Sequence, residues 1–102
     1  MHRPRARRYP FVASVELTNT ETEEQVLGQT TEVSLFGCRV EKVKLLPPDT
    51  KVRIRIVHSG ESFLALGRVV YARVGMGIVF TMIDANKGLV LEKWIARVEK
   101  LT

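Results

Sequence analysis

The segment Lys51–His58 reads Lys-Val-Arg-Ile-Arg-Ile-Val-His, and its strict alternation constrains the fold more than any other feature of the chain. Val52, Ile54 and Ile56 fall on one side and Lys51, Arg53 and Arg55 on the other, the period of two that marks a half-buried strand. Phe11–Thr18 repeats the pattern with Phe11, Ala13, Val15 and Leu17 on one side. Further extended segments are expected at Val26–Val33, Cys38–Glu41, Ser62–Val74 and Ile78–Met82, separated by turn chemistry. Asn19–Gln25 is polar and acidic, Pro47-Pro48-Asp49 cannot occupy a central strand, Ser59-Gly60-Glu61 closes a tight turn, and Gly75-Met76-Gly77 reads as another.

After Asp84 the period changes. Leu91, Trp94, Ile95, Val98 and Leu101 recur at helical spacing, with Asp84 as the expected N-cap and Trp94 as a core residue. The expected architecture is mainly β: a six-stranded antiparallel barrel, whose closure disposes of sheet edges, with a C-terminal helix over 84–101 packed across an opening. At 102 residues the chain forms one domain, read as an arm over 1–10 and a barrel with its helix over 11–102.

Charge is unevenly placed. The net charge is +5, and Arg3, Arg5, Arg7 and Arg8 stand in the first eight residues with no acid among them. Removing those four from sixteen Lys and Arg leaves twelve against eleven acids, so the body carries only +1. Concentrated arginine on a nearly neutral body favours a phosphate-bearing ligand gripped by the arm. The neutral body, and the lack of aromatic interleaving on outward positions, argue against nucleic acid. No apolar run is long enough to span a bilayer, and no signal-peptide pattern follows the basic start. The single cysteine, Cys38, fits a reducing cytoplasm and reads as a buried, inert thiol.

Catalysis finds no support. His2 and His58 stand apart, no Cys pair or acidic cluster has metal-ligand spacing, and Ser34 lacks both a nucleophile-elbow pattern and a base. A binding protein, not an enzyme, is expected, with no cofactor.

Two segments carry the binding reading. Pro4 and Pro10 keep the arm His2–Pro10 extended, and its arginines offer planar forks of donors suited to phosphates and guanine edges. In Thr30–Val40 an acid, Glu32, and a hydroxyl, Ser34, project to the same side where one strand hands over to the next, and Gly37 supplies a tight turn. Together these segments resemble the PilZ domain family, the bacterial receptors for cyclic di-GMP. The resemblance rests on Arg-x-x-x-Arg at Arg3–Arg7, Arg8-Tyr9-Pro10 at the entry to the first strand, and Ser34–Val40. Gly67–Tyr71, Gly75–Phe80 and the closing helix extend it along the chain. It implies a barrel on whose surface cyclic di-GMP is held by Arg3 and Arg7, by Ser34, and by the space beside Gly37. Glu32 stands where the family usually has Asp or Asn. Arg8, directly before the first strand, is the alternative second arginine of the motif, with Arg3 or Arg5 as its partner. The resemblance further implies a protein effector partner, still unidentified.

Overall fold

In the computed structural model, which describes residues 7–101, six strands and one helix follow in the order β1 (Tyr9–Asn19), β2 (Gln25–Val33), β3 (Gly37–Glu41), β4 (Lys51–His58), β5 (Glu61–Arg73), β6 (Gly75–Ile83) and α1 (Gly88–Leu101). The strands pair antiparallel in the spatial order β1-β2-β3-β6-β5-β4, and β4 returns to β1 to close the barrel. The expected fold class is the one observed.

Alternation explains the interior. Val15 and Leu17 of β1, Val52, Ile54 and Ile56 of β4, Phe63 and Val69 of β5, and Met76 of β6 are nearly or wholly excluded from solvent. At roughly 1.5–3 kcal/mol for each large apolar side chain, this inward row is the main stabilising term. The helix closes one end of the barrel with Leu91, Trp94 and Ile95. There the Trp94 ring stacks on Phe11 at 5.1 Å between centroids, and His58 lies against Phe11 at 4.7 Å.

Irregularities in register shape the site. β1 shifts register against β2 between Pro10 and Ala13, which takes the Phe11 carbonyl out of regular pairing. The buried hydroxyl of Thr30 donates to that carbonyl at 2.6 Å, so the break in the ladder leaves no orphaned acceptor.

Four local expectations change. The first strand begins at Tyr9 rather than Phe11. Gly75-Met76-Gly77 lies within β6; the reversal is tighter, with Arg73 paired to Gly75 and Gly75 taking φ +94° to turn the chain. The helix starts at Gly88, because Asp84 is tied elsewhere: its N–H donates to the Leu64 carbonyl at 3.0 Å, and its carboxylate accepts from the Asn86 N–H at 2.9 Å. Those bonds close a separate turn before α1. Leu101, at the far end of α1, is 85% exposed and outside the core. Among the described residues no helix is long and apolar enough to cross a membrane.

Candidate functional site

β2 ends at Val33 and β3 begins at Gly37, and the short connection between them forms one wall of a cleft of about 290 Å³ on the outer face of the barrel. Ser34 organises this turn. Its N–H donates to the Gly37 carbonyl at 2.9 Å, and its Oγ accepts from the N–H groups of Phe36 and Gly37 at 3.1 and 3.2 Å. The Ser34 hydroxyl also approaches the Gly37 carbonyl, as donor, at 3.4 Å. The sequence reading gave this hydroxyl to a ligand, whereas here its bonds hold the turn.

Gly37 has a similar double aspect. A side chain there would bring its Cβ to 2.2 Å from the Ile78 carbonyl oxygen, so the close approach of β6 already requires glycine at this position. The space that glycine leaves is taken up on the β6 side by backbone.

Glu32 and Arg8 face one another at the cleft. Arg8 Nη1 stands 3.9 Å from Glu32 Oε1, a loose ion pair between groups with side-chain exposures of 62% and 43%. Arg39 is the cross-strand partner of Glu32 and lines the same cleft. Its guanidinium bonds the Glu41 carboxylate and donates to the Val74 carbonyl at 2.6 Å, and the bond to Glu41 holds its pKa above the usual arginine value. Glu32 thus has Arg8 as its ion-pair partner, while Arg39 lines the cleft from β3 with its guanidinium held by Glu41 and Val74. Val70, Val79 and the ring of Tyr71, which covers Gly77, add apolar lining. At the rim the Phe36 ring is 64% exposed although its backbone is pinned, its carbonyl accepting from the Phe80 N–H at 2.7 Å.

Arg7 goes elsewhere. Successive residues of an extended segment point to opposite sides, and the Arg7 guanidinium lies over the Tyr9 ring, 5.3 Å from its centroid. It lines a separate recess of about 250 Å³ with Leu35 and the helix residues Glu92, Ile95 and Glu99. The Tyr9 hydroxyl donates to Glu99 Oε2 at 2.6 Å, and this bond, with burial and the carboxylate's charge, raises the Tyr9 pKa. The described structure therefore brings Arg8, Glu32, Ser34 and Gly37 together and leaves Arg7 apart. Arg3 and Arg5 lie outside the described residues.

Arg39 and Tyr71 were missed in the sequence. Arg39 was legible, since it stands two residues after Gly37 on the outward phase of β3. The placement of Tyr71 depends on a register shift between Val69 and Tyr71 that no local pattern announces. Cys38 is buried, and desolvation pushes its thiol up to about 12, so it stays protonated beneath the cleft.

Two oppositely charged functions at the rim of a half-apolar cleft suit a ligand with anionic groups and N–H donors. A family model for the PilZ domain matches residues 2–97. The chain belongs to the PilZ domain family. Among solved structures it is similar to the PilZ domain of CeSA from a cellulose-synthesizing bacterium, with 27% identity and a TM-score of 0.67, covering 94% of this chain and 98% of that one. It is also similar in fold to the Bacillus subtilis inhibitor of motility (MotI/DgrA), at 14% identity and a TM-score of 0.74. All of this PilZ chain aligns there with 54% of the other protein's length. None of the curated proteins matches.

Proposed function

We propose that this PilZ domain is a receptor or adaptor for cyclic di-GMP, which it takes up in the cleft between Arg8 and the Ser34–Gly37 turn. The observation that carries the reading is the convergence of Arg8, Glu32 and Arg39 beside that turn. Arginine forks suit the phosphates and the O6/N7 edge of guanine, while the Glu32 carboxylate suits the guanine N1–H and N2–H donors. At about 290 Å³ the cleft lies at the lower limit of the roughly 300–1,000 Å³ typical of ligand sites, so a dinucleotide rests partly outside it. The arm then folds over the exposed part, with Arg3 or Arg5 joining Arg8. The reading places the protein in the bacterial cytoplasm, where it passes its signal to a protein partner, and gives it no chemistry to catalyse.

One observation favours a second reading. Glu32 already faces Arg8, so the longer carboxylate at the family's Asp/Asn position competes with phosphate for the arm. On this reading, a domain with the longer carboxylate at that position is an interaction module that no longer takes nucleotide. Calorimetric titration with cyclic di-GMP, with GTP as control, separates the two. Saturable heat with cyclic di-GMP alone supports the receptor. No heat in the wild type, with heat restored in Glu32→Asp, assigns the loss to the glutamate.

A further inference from the structure

The register sets four cleft residues in one row across the barrel surface. Glu32 on β2 pairs with Arg39 on β3, Arg39 with Gly77 on β6, and Gly77 with Tyr71 on β5. Cross-strand neighbours on one face lie close enough for their side chains to touch. Gly77 has no side chain, and the Tyr71 ring takes that space. Its Cε2, Cζ and Cδ2 atoms all lie within 2.6 Å of where a Cβ would stand, which puts the face of the ring on the glycine. Tyr71 is still 38% exposed, so the ring is a surface of the cleft as well as a packing group. A glycine gives the ring a seat but no side wall, and its tilt must be fixed by another group.

Arg39 is that group. Although Glu32 is its cross-strand partner, both arms of its fork are engaged elsewhere: Nη1 bonds the Glu41 carboxylate and Nη2 donates to the Val74 carbonyl at 2.6 Å. Val74 stands three residues beyond Tyr71, at the reversal into β6, so the fork ties β3 to the end of the strand that carries the ring. Held in this way, the guanidinium lies against the Tyr71 hydroxyl, which adds to the bond from Glu41 in raising the Arg39 pKa. Glu41 itself does not line the cleft. We infer that Arg39 is a positioning residue: fixed by Glu41 and the Val74 carbonyl, it holds the Tyr71 ring on Gly77 and so sets the shape of the wall that a bound nucleotide meets. The ligand in this inference rests on the cyclic di-GMP reading above; the seating of the ring does not.

Two measurements on the full chain test it. The first needs no nucleotide. Protons over the face of an aromatic ring are shifted upfield, so the Gly77 α-protons report where the ring sits, and Tyr71→Leu supplies the ring-free reference. Arg39→Met and Glu41→Gln should each move those resonances toward the reference, with thermal melts checking that the fold is retained. Resonances unmoved in both variants overturn the inference. The second is calorimetry with cyclic di-GMP, where the two possible roles of Arg39 predict opposite signs. An arginine that grips the ligand itself is released by Glu41→Gln and binds more tightly, whereas a positioning arginine loses its support. The expected result is affinity lowered about tenfold by Glu41→Gln and by Arg39→Met. Arg39→Lys, which keeps the charge but not the fork, should fare no better than Met. In a Tyr71→Leu background Glu41→Gln should cost nothing further. Tighter or unchanged binding in Glu41→Gln, or full affinity in Arg39→Lys, overturns the inference. A wild type that gives no heat refutes the cyclic di-GMP reading instead, and the Gly77 resonances then decide the role of Arg39 by themselves.

Discussion

On one side of the cleft, the Ser34–Gly37 turn is tied through the Ser34 hydroxyl, through the backbone of Gly37 and through Phe36 to β6. On the other side, Arg8 reaches Glu32 across 3.9 Å and Arg7 rests on a tyrosine ring. An exposed ion pair is worth about 0–1 kcal/mol, whereas breaking a bonded turn leaves buried groups without partners at about 1–3 kcal/mol each. The turn is thus a fixed wall, and the Arg8–Glu32 contact opposite it is a loose one. A ligand of the kind proposed would displace Arg8 from Glu32 at little cost but would have to accept the turn as it stands.

The sharpest way to break this contrast is to remove the arm's charge. Replacing Arg7 and Arg8 together with Ala is expected to bring cyclic di-GMP binding to background in calorimetry. Charge-assisted bonds contribute about 1.5–3 kcal/mol each, against about 8 kcal/mol for a micromolar complex. The melting temperature should stay put, and Arg8→Ala alone should cost more affinity than Arg7→Ala alone. On the fixed wall the order reverses. Gly37→Ala drives a methyl into the Ile78 carbonyl and should destabilise the fold by about 3 kcal/mol, lowering the melting temperature by roughly 10–20 °C.

Smaller effects grade the wall. Ser34→Ala strips the turn N–H groups of their acceptor and should lower stability in urea titration by about 1–2 kcal/mol. Phe36→Ala should leave stability alone yet weaken nucleotide binding about tenfold, because an exposed ring on a pinned backbone is a stacking surface for a base. The smallest effect lies at the helix. Glu61, bonded to Lys93 and near Arg97, has its pKa lowered, chiefly by the Lys93 bond. A folded-state pKa below the unfolded one gives stability that is present above the unfolded value and lost as pH falls through the folded one. Thermal melts between neutral and acid pH should show a slight loss that Lys93→Met reduces.

The strands, their faces and the helix stripe were legible because each repeats a simple period, as in Lys51–His58 and Leu91–Trp94–Ile95. The helix start was not, since the carboxylate of Asp84 suits an N-cap and a preceding turn equally well, and only the bond to Leu64 decides. Glu32, Ser34 and Gly37 were legible as a group, but the bonds of Ser34 within its own turn were not. Which arginine meets Glu32 is fixed by how the chain enters β1 ahead of the register shift between Pro10 and Ala13. That shift is a long-range event, stabilised by Thr30, and it leaves no local mark.

The start of the first strand is secured by residues of the helix, far along the chain. Tyr9 bonds Glu99, and Phe11 stacks on Trp94. During synthesis the first strand leaves the ribosome long before the residues that clamp it, and barrel closure must wait for β4. Such distant pairings fold slowly, in milliseconds to seconds. A nascent or C-terminally clipped chain therefore lacks the bonds that anchor Tyr9 and Phe11, so the entry to the first strand is set only once the helix has formed.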